Sequence, residues 1–225
     1  SAKDAVRQTG NLIANGDFSI LHDRQPKAWE TGMGVTRGGA SYLEAVTLAD
    51  GTTAALVENA ASNDARFEQA VAVRENTTYK LTARVMAGGC GEGTKGANVS
   101  FSGIYGTSRD LHDTDGQWET LTLYGRTGKG QKEVTVMVRL GGYGSENTGK
   151  AWFTDVRLEQ VETVPVGETV LDLATPAPSK KTDTSEPKTA RDMSIPLLIG
   201  AAVVYLALAA ALVRGLTNQR LNARA

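Results

Sequence analysis

The chain has 225 residues, with 24 Lys and Arg against 25 Asp and Glu, for a net charge of −1. Balance this close to zero gives no suggestion of a nucleic-acid or anionic-surface partner. One cysteine, Cys90, excludes an internal disulfide, so the fold has to hold by packing and hydrogen bonds.

In chain order, residues 1–10 read as a lead-in. The chain starts at Ser1 with no leader sequence. It therefore reads either as a processed protein or as part of a longer one. Residues 11–173 are long enough for one sandwich-sized domain. Within it, short runs alternate apolar and polar residues and are separated by Gly, Asn and Asp clusters. Residues 79–85 (YKLTARV) and 134–140 (VTVMVRL) show the period most cleanly. Further strands are predicted at 42–48, 54–58, 66–73, 97–105, 118–126 and 151–161. No stretch before residue 194 carries a helical stripe. Many short strands with one buried face predict an all-β jelly-roll sandwich. Alternation predicts a core of Leu81, Val85, Val99, Phe101, Leu121, Leu123, Val134, Val136, Val138, Val156 and Leu158.

Residues 174–193 (ATPAPSKKTDTSEPKTARDM) hold three prolines and no aromatic residue. Such a segment buries too little apolar surface to offset its chain entropy, which predicts a disordered stalk. Fully extended, it reaches at most about 60–70 Å. Residues 195–213 (IPLLIGAAVVYLALAAALV) then run nineteen positions without a charge. At about 1.5 Å per residue, a helix there spans roughly 30 Å, the thickness of a bilayer core. A buried core helix would show a polar stripe, and none appears. A single transmembrane helix is therefore expected over 194–214, and residues 215–225 form a short basic tail. Gly200, Ala207 and Ala211 fall near one face of that helix. Small residues there let a neighbouring helix approach, although alanine is also common in such spans. Basic residues on the two sides nearly balance, so charge does not orient the span.

The strand ends carry a pattern. Residues 11–19 read NLIANGDFS and 26–29 read PKAW. Then come FEQAVAV at 67–73, NTTYKL at 76–81, GQWETL at 116–121 and GKAWFTDVRL at 149–158. In this order the segments resemble carbohydrate-binding modules of the family 4, 9 and 22 type, within the galactose-binding-like jelly rolls. The resemblance covers residues 11–161. It implies an eight- to ten-stranded jelly roll, usually extracytoplasmic, and it does not by itself imply sugar binding.

The resemblance also implies a structural calcium where the first and last strands meet, with Asp17 and Asp155 as carboxylate ligands. Calcium takes six to eight oxygens, so carbonyls or water would complete the set. The chain departs from the family pattern: Ser19 stands where a glutamate is usual, and Thr154 precedes Asp155. The other reading of both aspartates is as turn and edge residues.

No nucleophile elbow, metal-protease motif or phosphate loop is present, and His22 and His112 lie far apart. The sequence therefore reads as non-catalytic. A sugar site needs an apolar ring face and planar polar groups. If Leu121 and Leu123 face the core, then Trp118, Thr120, Thr122 and Tyr124 face away. Arg84, Asn98 and Arg139 on other strands complete the expected ligand-binding set with Trp118 and Tyr124. Tyr105 and Tyr143, near loops, are rival platforms. Two functions are expected: an extracytoplasmic, membrane-tethered glycan binder, or an accessory subunit whose jelly roll contacts neighbouring membrane proteins.

Overall fold

The computed structural model describes residues 10–34 and 41–174. The expected stalk, membrane helix and tail, with Gly200, Ala207 and Ala211, lie outside these residues. Among the described residues no helix is long and apolar enough to cross a membrane.

Twelve strands follow one another: β1 (Leu21–His22), β2 (Gln25–Pro26), β3 (Glu30–Met33), β4 (Ser41–Thr47), β5 (Thr53–Asn63), β6 (Ala65–Ala72), β7 (Thr78–Gly88), β8 (Ala97–Phe101), β9 (Glu119–Arg126), β10 (Glu133–Leu140), β11 (Asn147–Gln160) and β12 (Val170–Asp172). Strands β1 and β2 form a small ribbon. The others form a four-stranded sheet ordered β3-β6-β10-β8 and a six-stranded sheet ordered β12-β9-β7-β11-β5-β4. Every pairing is antiparallel except β12 with β9. The expected all-β sandwich is present, and all eight predicted strands occur within a few residues of their expected ends.

The core lies between the two sheets. All eleven residues that alternation placed inside are buried. In the four-stranded sheet, Phe67, Val138 and Val99 lie in one register row; in the six-stranded sheet, Phe153, Val85 and Ala55 do the same. Phe18 adds a ring from the N-terminal segment, 4.9 Å from Trp29 and 6.2 Å from Phe67. Burying each such side chain contributes about 1.5–3 kcal/mol, before chain entropy is subtracted.

Asn11 ties the N-terminal segment to β11, and Asn15 holds that segment's own turn. Asn11 Oδ1 accepts from the Leu158 amide at 3.0 Å, and its Nδ2 donates to the Val156 carbonyl at 3.0 Å. Asn15 Nδ2 donates to the carbonyls of Ile20 and Lys27, and Trp29 Nε1 donates to the Asn15 carbonyl. Gly16 is required by proximity. A Cβ there would sit 2.2 Å from the Val156 carbonyl oxygen. That contact is possible because β11 shifts register between Thr154 and Arg157, with Asp155 at φ 48°. A bulge of this kind bends a strand and re-aims its side chains.

Candidate functional site

The outer face of the four-stranded sheet carries a cleft of about 400 Å³. Period-two alternation builds its floor. Where Phe67, Val136 and Val138 point into the core, Arg66, Glu68, Met137 and Arg139 point out. Arg139 and Arg66 are register partners across β10 and β6, as are Met137 and Glu68.

Both arginines are held in ion pairs. Asp64, at the β5–β6 junction, receives Arg139 through a two-pronged contact. Nε lies 3.0 Å from Oδ1 and Nη2 lies 2.5 Å from Oδ2, and both side chains are less than a tenth exposed. A fork of this kind fixes the guanidinium plane. Arg66 donates Nε to Glu68 Oε2 at 2.8 Å. Gly32 leaves room for it, since a Cβ at that position would lie 2.8 Å from Arg66 Cζ.

The rim is aromatic. Tyr105, on the loop after β8, and Tyr143, on the turn after β10, meet edge to face with centroids 5.8 Å apart. They are 82% and 81% exposed. Two phenol rings held together in water above planar, fixed donors and acceptors can pack against the C–H face of a sugar while guanidinium and carboxylate groups meet its hydroxyls.

The structure divides the set expected from sequence. Arg139 lies in the cleft. Asn98 lies beside it in register but is fully buried, and its Nδ2 donates to the carbonyls of Gly96 and Gly141 at 3.0 Å each. It therefore ties two turns together, one of them carrying Tyr143, and has no surface to offer a ligand. Arg84 and Trp118 belong to the six-stranded sheet, where Arg84 Cζ lies 5.2 Å from the Trp118 ring centroid. Tyr124 is a correction. It does lie opposite the inward Leu121 and Leu123, but only 5% of it is exposed, because β12 pairs alongside with Val170 facing it in register. The cleft residues that alternation did not identify are Asp64 and Arg66. Asp64 pairs across 75 positions of chain, a separation that no local pattern signals.

The two segments expected to meet at calcium do meet, through the Val156 amide and the Gly16 carbonyl at 2.9 Å. Their carboxylates are engaged elsewhere. Asp17 accepts from the Ser19 amide and hydroxyl, and Asp155 from Arg84 Nη1 at 3.2 Å. No group of three or more His, Cys, Asp or Glu suited to a metal occurs among the described residues. Calcium there would draw on two carboxylates and several backbone carbonyls or waters. Cys90 is half-buried, and burial pushes its thiol above the usual range. A thiol held neutral in this way is a poor nucleophile.

No family model matches the chain, and no curated protein matches it. Solved structures similar to it include the enzymatically active domain of bacteriophage CBA120 tailspike protein 4. That match has 11% identity and a TM-score of 0.48, and covers 67% of this chain and 21% of that one. A CBM4 module is 18% identical, covering 66% of this chain and 99% of its own, with a TM-score of 0.45. A CBM61 module in complex with β-1,4-galactotriose is 14% identical, covering 68% and 100%, with a TM-score of 0.44.

Proposed function

We propose that this protein is a non-catalytic, carbohydrate-binding-like module that takes a glycan chain in the cleft on its four-stranded sheet. The observation that carries the reading is the exposed Tyr105–Tyr143 pair lining one cleft with the Arg139–Asp64 pair and Arg66. Nothing else on the described surface joins two exposed rings to fixed planar polar groups. Electrophoresis of the full chain through gels containing neutral β-glucan, xylan, galactan or a uronate polymer tests it. One of these polysaccharides should retard the protein. Tyr105→Ala and Tyr143→Ala should each remove most of the retardation with Tm unchanged, because neither ring is buried. Retardation by none of them would sink the reading.

The proposal includes a membrane anchor at residues 195–213, with the sandwich outside the cytoplasm on a stalk at 174–193. The uncharged run and the polar, proline-bearing segment before it support this reading. Protease added to intact cells should then cut within 174–193 and release the sandwich. Protection until the membrane is broken would reverse the orientation.

A second reading, an accessory subunit, has one observation in its favour. The outer face of the six-stranded sheet carries half-buried Leu56, Met86, Trp118 and Trp152, the first, second and fourth in one register row. A neighbouring subunit would bury that row, and the stoichiometry of the purified assembly discriminates between the two readings.

A further inference from the structure

The loop that carries Tyr105 rests on the last strand of the sandwich. Strand β12 is three residues long and adds to the edge of β9 in parallel, with Leu171 opposite Gly125. Its apolar side chains reach past β9. A Cβ on Gly106 would lie 2.6 Å from Leu171 Cδ2, so the loop backbone beside Tyr105 lies directly against that leucine. Leu173 is almost wholly buried and sits 2.6 Å from where a Cβ on Gly125 would be. On the other side of Tyr105, Ile104 packs against the core, as Leu171 does. A second cleft of about 300 Å³ runs under the same loop, lined by Ile104, Val134 and Leu173.

Tyr105 is 82% exposed and its ring meets the equally exposed Tyr143, so the core fixes the ring little directly. Its place depends on Ile104 and Gly106, and Gly106 is held by Leu171. Three backbone-paired residues at a sheet edge form the kind of element that opens locally well below the global unfolding free energy. The chain leaves β12 directly into residues 174–193.

We propose that β12 is a positioning strap: Leu171, through Gly106, holds Tyr105 over the cleft, and glycan affinity depends on the strap being docked. This rests on the glycan reading above and adds to it a dependence on the segment that leads into the expected stalk.

The test uses the full chain and two readouts: hydrogen exchange of residues 102–107, which needs no ligand, and retardation by the polysaccharide that binds the wild type. Leu171→Ala removes the support. Gly106→Ala sets a Cβ against the Leu171 methyls, so that either that side chain or the loop must shift, and it covers the case in which the first variant unfolds. Val170→Ala, on the neighbouring exposed side chain, is the control. Both test variants should speed exchange at 102–107 and weaken binding by about tenfold, the equivalent of one lost apolar contact of moderate size. The control should do neither, and exchange in β7 and β11 should stay slow throughout. Unchanged exchange in both test variants overturns the strap. Faster exchange with undiminished affinity overturns its role in binding. Faster exchange in a protein whose wild type binds no polysaccharide upholds the strap as support for the loop and overturns the glycan reading alone.

Discussion

Asp64 and Arg139 show how much hangs on single residues in this cleft. Both side chains are less than a tenth exposed. Removing one partner strands the other charge in a poorly hydrated place, at a cost of about 3–5 kcal/mol. For a protein of this size that lowers Tm by roughly 6–20 °C. Asp64→Ala should therefore melt far below the wild type. Replacing both partners with apolar residues, Asp64→Leu with Arg139→Met, should restore most of the lost Tm, because no unpaired charge remains. The doubly apolar floor should nevertheless bind polysaccharide at least tenfold more weakly than the wild type, since its hydroxyl partners are gone. A double variant that binds as well as the wild type would show that the pair only supports the fold. Of these two residues only Arg139 was legible in the sequence, as a polar position between Val138 and Leu140. Tyr105 and Tyr143 were legible as aromatics near loops, but their 5.8 Å contact joins residues 38 positions apart on segments that leave opposite ends of the antiparallel β8–β10 pair, which no local pattern signals.

At the scale of elements, alternation worked wherever a strand has one face in the core and one in water. That condition holds for most of β4 to β11, whose spans and inward residues were readable from period two, but not for β8, where Asn98 and Ser100 are buried as fully as Val99. It fails for β12, whose three residues are too few to show a period. Its parallel pairing also has no hairpin turn to announce it. The same omission explains Tyr124: opposite-to-core was read as exposed, and an unforeseen edge strand covers it. Strands β1 to β3 are short and carry Gly and Pro, which weaken any strand signal. The N-terminal asparagines were legible only as part of a resemblance, while the hydrogen bonds show Asn11 satisfying β11 backbone groups and Asn15 holding the turn of its own segment. The calcium expectation belongs to this junction. A ligand bound to the folded state alone adds about 2.7 kcal/mol at a hundredfold excess over its dissociation constant. Full-chain Tm should therefore rise in millimolar calcium over chelator, and Asp155→Ala should abolish the rise. Coincident curves would leave Asp17 to its turn with Ser19 and Asp155 to Arg84.

For the whole molecule, the decisive matter is whether the chain acts alone or in an assembly. A tethered binder needs its 195–213 run only as an anchor. An accessory subunit needs it to recognise another helix. In lipid the hydrophobic effect does not draw helices together, so contact depends on how closely their backbones approach. In the helix expected over 194–214, Gly200, Ala207 and Ala211, seven and four apart, would return to one side and leave a shallow groove there. A neighbouring backbone in that groove gains dispersion contacts along its length, each small and together substantial. Ala207→Leu fills the groove yet is at least as apolar, so insertion should persist while any assembly loosens. Ala209→Leu, on the opposite side, supplies the same bulk without touching the groove. Native mass of the detergent-solubilised full chain from its source membrane reads the outcome. On the subunit reading, the wild type and Ala209→Leu form a defined assembly and Ala207→Leu shifts toward the monomer. A monomer in all three would make the helix an anchor alone, and would leave the outer face of the six-stranded sheet, with Trp118 and Trp152, without a subunit to meet.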